Sequence, residues 1–371
     1  MRMNDAIRKV VMPKWGLSMT SGKVTEWIAS EGDEIADGDD LAEIDTDKIA
    51  GALESADEGV LRRIIAQVGE DVPVGATIAL IAPADVPDAE LDEAALLARE
   101  ELDSGAVAEV AGPVTGSVEV DGRTICFAAL GEGEETVVLV HGYGGDKNSW
   151  LFVQEPLSQS HTVYALDLPG HGESTKDVGD GSLDVLAGAV LGLLAERGIE
   201  RAHLVGHSLG GAVVVAAAAR EPARVASLTL IAPAGFGSRI NAGYLRGFAE
   251  ARSRRELKPH LAALFADPGQ VTRQLADDLM RYKRLDGVDK ALGALLGTLL
   301  DGDEPALDVA PLLSEVDVPV AVVWGRQDAV LPATNGEGLD DVEYVERAGH
   351  MVHLEQPNAV VVAVNAVTNR R

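Results

Sequence analysis

Residues 206–210 read Gly-His-Ser-Leu-Gly, and they fall where an apolar run, AHLVGH, passes into the small-residue run LGGAVVVAAAA. A Gly-x-Ser-x-Gly pattern between a strand and a helix marks a nucleophile elbow: small flanking residues tolerate a sharp turn, and the serine Oγ emerges at the helix N-terminus. A serine hydroxyl is a weak nucleophile at neutral pH, so Ser208 needs a histidine base and an acid to orient it, in the chain order Ser, Asp, His. Asp328 follows the run AVVWG, and His350 follows VEYVERAG, which satisfies that order and puts both in loops that leave strand ends. His353, in GHMVHLEQP, is a rival base. His350 is preferred because it comes directly after the strand-ending Gly, while His353 reads as a supporting or helix-start residue. Negative charge develops on the carbonyl oxygen in acyl transfer, and two backbone N–H groups should meet it. Leu209, next to the nucleophile, supplies one, and Tyr143 in HGYGGDKNSW is chosen for the other. His141 and His207 read as structural hydrogen-bonders, and Asp167 and Ser174 in LDLPGHGES as pins of a neighbouring loop.

A second candidate stands far away. Lys48, in EIDTDKIAGALES, is the only basic residue between Lys23 and Arg62. Taken alone it reads as a solvated hairpin tip, where Thr and Asp make the turn and any polar side chain serves.

The elements that position these residues divide the chain. Residues 6–82 carry short alternating or β-branched runs separated by Gly-Asp punctuation, which predicts a small all-β unit. Two of its segments, EGDEIADGDDLAEI and VGEDVPVGATIALI, repeat a Gly, an acidic pair and a second Gly before an apolar strand, and so predict two sheets related by pseudosymmetry. Residues 83–112 turn to Pro, Ala and acid; the middle could form a helix, and the ends read as an extended acidic linker. From 113 to 371 apolar strand-like runs alternate with helical spacing, which predicts a mostly parallel sheet covered on both faces. Residues 236–300 interrupt that alternation with strand-free sequence holding eleven Lys or Arg against seven acids.

At 371 residues two domains are the starting expectation. A formal net charge of −29 would repel phosphate backbones and anionic lipid heads, so nucleic acid and membrane surfaces are not expected partners. The longest apolar run, AVVVAAAA at 212–219, is far short of a membrane span, and no signal-peptide pattern is seen at the N-terminus. The lone Cys126 cannot form an internal disulfide, which fits a reducing, cytoplasmic setting. No metal site is expected.

HGYGG, DLPGHGES, GHSLGG, GRQD and AGHMVHLEQP, in that order, resemble the recurring pieces of the α/β-hydrolase family. That resemblance implies a doubly wound, mostly parallel α/β sheet with a helical cap over about 236–310. Residues 6–82 resemble the lipoyl and biotinyl carrier domains. Asp47-Lys48-Ile49 follows the lipoyl pattern rather than the Met-Lys-Met of biotinyl domains, and Gly32 and Gly59 stand where lipoyl domains carry glycines. The resemblance thus implies lipoate joined covalently to Lys48.

A lipoyl domain joined to an α/β hydrolase is similar to the acetyltransferase subunits of acetoin dehydrogenase complexes. That family implies acetyl transfer from the lipoyl arm to coenzyme A through Ser208, His350 and Asp328. It also implies a thiamine-diphosphate-dependent acetoin-cleaving component, dihydrolipoamide dehydrogenase and a lipoate-attachment enzyme as partners, with the chain a homo-oligomer within the complex. Arg254 and Arg255, in the basic insert, are candidate contacts of the coenzyme A phosphates, beside the plainer reading of a solvated helix face. The H-x-x-x-D-G motif of the mainstream 2-oxo-acid dehydrogenase acyltransferases is not found. Two alternatives stay open: water as the acceptor, making a thioesterase or carboxylesterase, and a lipoyl shuttle on an inert hydrolase scaffold.

Overall fold

The apolar alternation in residues 6–82 folds into eight strands: β1 (Arg8–Val11), β2 (Ser21–Trp27), β3 (Glu34–Ile35), β4 (Asp40–Asp45), β5 (Ala50–Glu54), β6 (Gly59–Ile64), β7 (Asp71–Pro73) and β8 (Thr77–Ala82). The structure is a computed structural model and describes residues 6–13, 19–36, 38–46, 50–104 and 112–369. It divides into two compact units, Met1–Gly112 and Pro113–Arg371.

In the first unit the strands make two antiparallel sheets, ordered β1-β8-β6-β3 and β5-β4-β2-β7. Advancing every strand number by four, cyclically, converts one order into the other, which is the pseudosymmetry that the two Gly-acid repeats predict. Val24, Leu41, Ile44, Leu61, Ile78 and Ile81 are fully buried.

In residues 83–112, read as an acidic linker whose middle could form a helix, the middle is helical and packs on the first unit. Residues Asp88–Ser104 form α1, which belongs to the first unit. Leu91, Ala94 and Ala98 recur on one helix face and pack with Ile7, Ile65 and Leu80. The acids face the opposite charges: Asp88 pairs with Arg62 at 2.9 Å, Asp92 with Arg63 at 2.8 Å, and Arg99 reaches back to Glu70 at 2.7 Å. An Ala-rich stripe looks like linker composition, yet small side chains are what let a helix lie close on a sheet.

The second unit continues with β9 (Val114–Val120), β10 (Arg123–Leu130), β11 (Thr136–Val140), α2 (Leu151–Ser158), β12 (Thr162–Leu166), α3 (Leu183–Glu196), β13 (Ala202–His207), α4 (Leu209–Arg220) and β14 (Val225–Ile231). Then come α5 (Ala242–Glu250), α6 (Arg254–Leu261), α7 (Arg273–Lys283), α8 (Val288–Leu299), the hairpin β15 (Leu300–Asp301) and β16 (Glu304–Pro305), and α9 (Ala310–Ser314). The chain closes with β17 (Val320–Gly325), β18 (Val342–Val345), α10 (Val352–Glu355) and α11 (Pro357–Thr368).

Eight strands form one sheet in the order β18-β17-β14-β13-β11-β12-β10-β9. The six from β18 to β12 are parallel, while β10 and β9 extend the edge antiparallel. Alternate residues of the central strand face opposite layers. Val137 and Leu139 pack with Leu157 of α2 and Val360 of α11, whereas Val138 and Val140 pack with Val190 of α3 and Val214 of α4. This is the doubly wound sheet expected from continuous apolar strands. Helices α5–α8 occupy the basic insert, and Tyr244, Phe248, Leu257, Met280 and Leu292 join the same buried cluster as α3 and α4.

Candidate active site

At the junction of β13 and α4, Ser208 takes φ 53° and ψ −118°, a backbone state that a non-glycine residue holds at a cost of about 1–3 kcal/mol. Surrounding bonds over-determine it: Ser208 N–H donates to Ile231 O at 3.0 Å, and Ala234 N–H donates to Ser208 O at 2.9 Å. The glycines of the motif have a steric reason. A Cβ on Gly206 would lie 2.3 Å from the Gly210 carbonyl oxygen, and one on Gly210 would lie 2.2 Å from that of Val140.

Asp328, three residues past β17, is buried and uses both carboxylate oxygens. Its Oδ1 accepts the N–H groups of Val330 and Leu331, each at 2.8 Å, and its Oδ2 lies 2.8 Å from His350 Nδ1. An ionised carboxylate only accepts, so Nδ1 carries the proton and Nε2 is left as the basic nitrogen. The His350 main chain is fixed as well: its N–H donates to Leu264 O at 2.8 Å, and its carbonyl accepts from His207 Nε2 at 2.9 Å.

Of the two histidines open in the sequence, the structure brings His350 to Asp328. His353 is fully buried, with its ring centroid 4.6 Å from that of Trp150 and 4.5 Å from that of His207, and neither of its ring nitrogens has a hydrogen-bond partner among the described residues. Burial, with His350 and His141 nearby, pushes His353 down to about 3. Burial and the neighbouring His353 and His350 likewise hold His207 well below its usual range.

These suppressed imidazoles set a pH dependence. The unfolded chain takes up a proton on each near pH 6.5 while the fold does not, so their contribution is complete above that pH and falls as pH drops toward the folded value. The slope is about 1.4 kcal/mol per pH unit for each histidine. The unfolding free energy of wild type, measured by urea titration, is therefore expected to fall by about 2 kcal/mol relative to that of His353→Leu between pH 6.5 and 5. A difference in unfolding free energy that stays constant with pH would show that His353 titrates alike in both states.

The loop after β11 lies against the serine: a Cβ on Gly142 would be 2.9 Å from Ser208 Cβ. Two of its N–H groups are committed inward, Gly144 to His171 Nε2 at 3.1 Å and Gly145 to Gly142 O at 3.1 Å. Tyr143 lies between Gly142 and Gly144, and Leu209 begins α4, where first-turn N–H groups have no partner within the helix. His141 is a structural hydrogen-bonder here: Nε2 accepts Leu168 N–H at 3.1 Å, and Nδ1 donates to Gly142 O at 2.8 Å.

Asp167 and Ser174 do brace the adjoining loop. Ser174 Oγ donates to Asp167 O at 2.7 Å and accepts Cys126 N–H at 2.8 Å. Asp167 accepts Lys147 Nζ at 2.9 Å and the N–H groups of Lys147 and Glu173 at 2.7 and 2.9 Å. Burial alone would raise the Asp167 carboxyl, but Lys147, His141 and these N–H groups outweigh it and hold it below the usual carboxylate range. Residue types and spacing did not single out Lys147, His171 or Glu355. Glu355 accepts Gly349 N–H and Ala266 N–H, each at 2.7 Å, and so ties the His350 loop to the cap; the acid in HLEQP is its only sequence trace.

Several arginines of the insert are paired with acids. Arg254 pairs with Asp277 at 3.1 Å, and Arg246, Arg252 and Arg281 pair with Asp303, Asp289 and Asp278. Arg255 is exposed on the first turn of α6. In the first unit, β4 and β5 pair antiparallel with Asp45 opposite Ala50, and Lys48 falls between them in sequence, outside the described residues. No helix among the described residues is long and apolar enough to cross a membrane.

A strained elbow serine at the end of a parallel strand, with an Asp–His pair in the loops that follow β17 and β18, defines the class. The family model described as alpha/beta hydrolase fold matches residues 135–357, and the one described as biotin-requiring enzyme, of the biotin/lipoyl type, matches residues 8–81. A hydrolase from Rhodococcus sp. strain RHA1 that acts on 2-hydroxy-6-oxo-6-phenylhexa-2,4-dienoate superposes with a TM-score of 0.62 over 69% of this chain and 98% of its own, at 21% identity, a likeness of fold alone. Two relatives span both units. The dihydrolipoyllysine-residue acetyltransferase component of the acetoin cleaving system of Cupriavidus necator is 45% identical over 96% of this chain and 96% of its own. Its counterpart from Pseudomonas putida is 45% identical over 95% of this chain and 96% of its own. The chain belongs to this family of α/β-hydrolase-fold acetyltransferase components.

Replacing Asp328 with Asn should leave the fold intact and lower acyl transfer by about 10⁴-fold, because the amide cannot hold His350 in the tautomer with a free Nε2. Turnover of p-nitrophenyl acetate checks this, and a loss under tenfold would remove Asp328 from the role of orienting acid.

Proposed function

We propose that this chain transfers an acetyl group from a dihydrolipoyl thioester, carried on Lys48, to coenzyme A, with Ser208 as the relay. The reading is carried by one observation: the buried His350–Asp328 pair, joined at 2.8 Å, in a chain that also bears a carrier-type domain. The antiparallel pairing of β4 with β5 on either side of Lys48 fits an attachment lysine, since a hairpin end offers its amine to a modifying enzyme. Lipoate, amide-linked to Lys48 Nζ, would supply the acetyl group as a thioester on a long arm and raise its effective concentration at Ser208.

Ser208 Oγ attacks the thioester carbonyl carbon while His350 Nε2 takes the hydroxyl proton. The Leu209 and Tyr143 N–H groups meet the oxyanion. As the C–S bond breaks, His350 returns that proton to the departing sulfur and leaves Ser208 as an acetyl ester. His350 then takes the proton of the coenzyme A thiol, whose sulfur attacks the ester. Ser208 leaves with the proton, and one thioester has been exchanged for another without net redox change.

Arg255, and Arg254 where it exchanges Asp277 for a ligand, are the proposed contacts of the coenzyme A phosphates. The chain would work in the cytoplasm beside a thiamine-diphosphate-dependent component that loads the arm, dihydrolipoamide dehydrogenase that reoxidises it and the enzyme that attaches lipoate, as a homo-oligomer within that complex. The deciding experiment supplies acetylated holo-protein with coenzyme A and quantifies acetyl-CoA and acetate together. Acetyl-CoA is expected to dominate, and acetate as the main product would make the chain a hydrolase.

A further inference from the structure

His171 sits where three parts of the second unit meet. Its Nε2 accepts Gly144 N–H at 3.1 Å, so its Nδ1 carries the proton and donates to Pro169 O at 3.1 Å. Its ring lies parallel to that of Tyr282 on α7, 11° apart with centroids at 6.4 Å, and the Tyr282 hydroxyl donates to Gly170 O at 2.8 Å.

The same loop is pressed from two more cap helices. Gly144, at φ 75°, has no room for a Cβ, which would lie 2.4 Å from the Phe248 ring of α5. Tyr143 meets Phe248 edge to face at 5.8 Å and donates its hydroxyl proton to Leu292 O of α8 at 3.0 Å. Lys283, next to Tyr282, holds Phe248 from behind by donating to the Phe248 and Ala249 carbonyls at 2.6 and 2.9 Å.

Gly144 and Gly145 both turn their N–H groups inward, and the Tyr143 N–H immediately before them is the one available to face the reacting carbonyl. We propose that His171 is a positioning residue that aims the Tyr143 N–H at the oxyanion, and that the cap helices set its grip, so that seating of the cap and stabilisation of the transition state are one event. The inference rests on the serine chemistry proposed above, though not on the identity of the acceptor.

The test therefore uses p-nitrophenyl acetate, which needs no coenzyme A, and a trifluoromethyl ketone, which forms a tetrahedral adduct with a reactive serine. His171→Phe keeps ring and volume but removes the acceptor. It is expected to lower kcat about 10²-fold with KM within about threefold, and to weaken the ketone by the same factor. His171→Gln, which restores an acceptor, should recover about tenfold, and Tyr282→Phe, which keeps the ring and loses the hydroxyl bond, should lower kcat by roughly three- to tenfold. A His171→Phe enzyme with kcat within threefold of wild type overturns the inference, as does a fall in kcat with ketone affinity unchanged. Should His171→Phe not fold, unchanged ketone affinity in both Tyr282→Phe and Phe248→Leu overturns it equally. A wild-type protein that neither acylates nor binds the ketone would instead remove the serine chemistry itself.

Discussion

Ser208→Ala is expected to reduce acetyl-CoA formation by about 10⁴-fold or more while leaving the attachment of lipoate at Lys48 unchanged. The size follows from the relay. Without Oγ no acetyl ester forms, and His350, although still held by Asp328 at 2.8 Å, has no nucleophile to activate. Folding should not suffer: alanine removes one oxygen from a residue whose main-chain bonds to Ile231 and Ala234 remain. The alternative to a relay is direct attack of the coenzyme A thiol on the lipoyl thioester, with His350 as base. In that case Ser208→Ala would retain a substantial rate, within about tenfold of wild type. Mass spectrometry of the wild-type protein after acetyl loading, in the absence of coenzyme A, gives an independent check, because the relay requires a mass of one acetyl group on the peptide that contains Ser208.

The second large effect is expected at Lys48. Lys48→Arg keeps the positive charge but offers no amine for an amide bond, so lipoylation and transfer from the holo-complex should both fall to background. Turnover of p-nitrophenyl acetate at Ser208 should stay within about twofold, since the small ester diffuses to the site unaided. The two results together separate carrier from catalyst. Supplying free acetyl-dihydrolipoamide to Lys48→Arg should restore some acetyl-CoA, at a rate lowered by the loss of effective concentration that a tether provides, up to about 10²-fold at micromolar substrate. Unchanged transfer in Lys48→Arg would mean that the arm is not carried on this lysine.

Much of the fold was legible because its signals are local. The alternating apolar runs of β1–β8 and their two Gly-acid repeats hold the pattern of two exchanged sheets, and the continuous apolar runs of β11, β13 and β14 hold that of a parallel sheet covered on both faces. The helix α1 was harder to see, since half of its buried face is Ala94 and Ala98, and alanine belongs as readily to a linker.

For the site, the sequence by itself determined the elbow and the order of Ser208, Asp328 and His350, because the steric needs of a strand-turn-helix junction are met within five residues. Tertiary structure decided which histidine meets Asp328, where the charge of Arg254 is spent, and that His171 holds Gly144. Each of those depends on where a loop or helix lands relative to another more than twenty residues away. Hydrogen bonds and ion pairs act over about 3 Å, so a side chain's partner is settled only once the core has packed and brought distant segments into register.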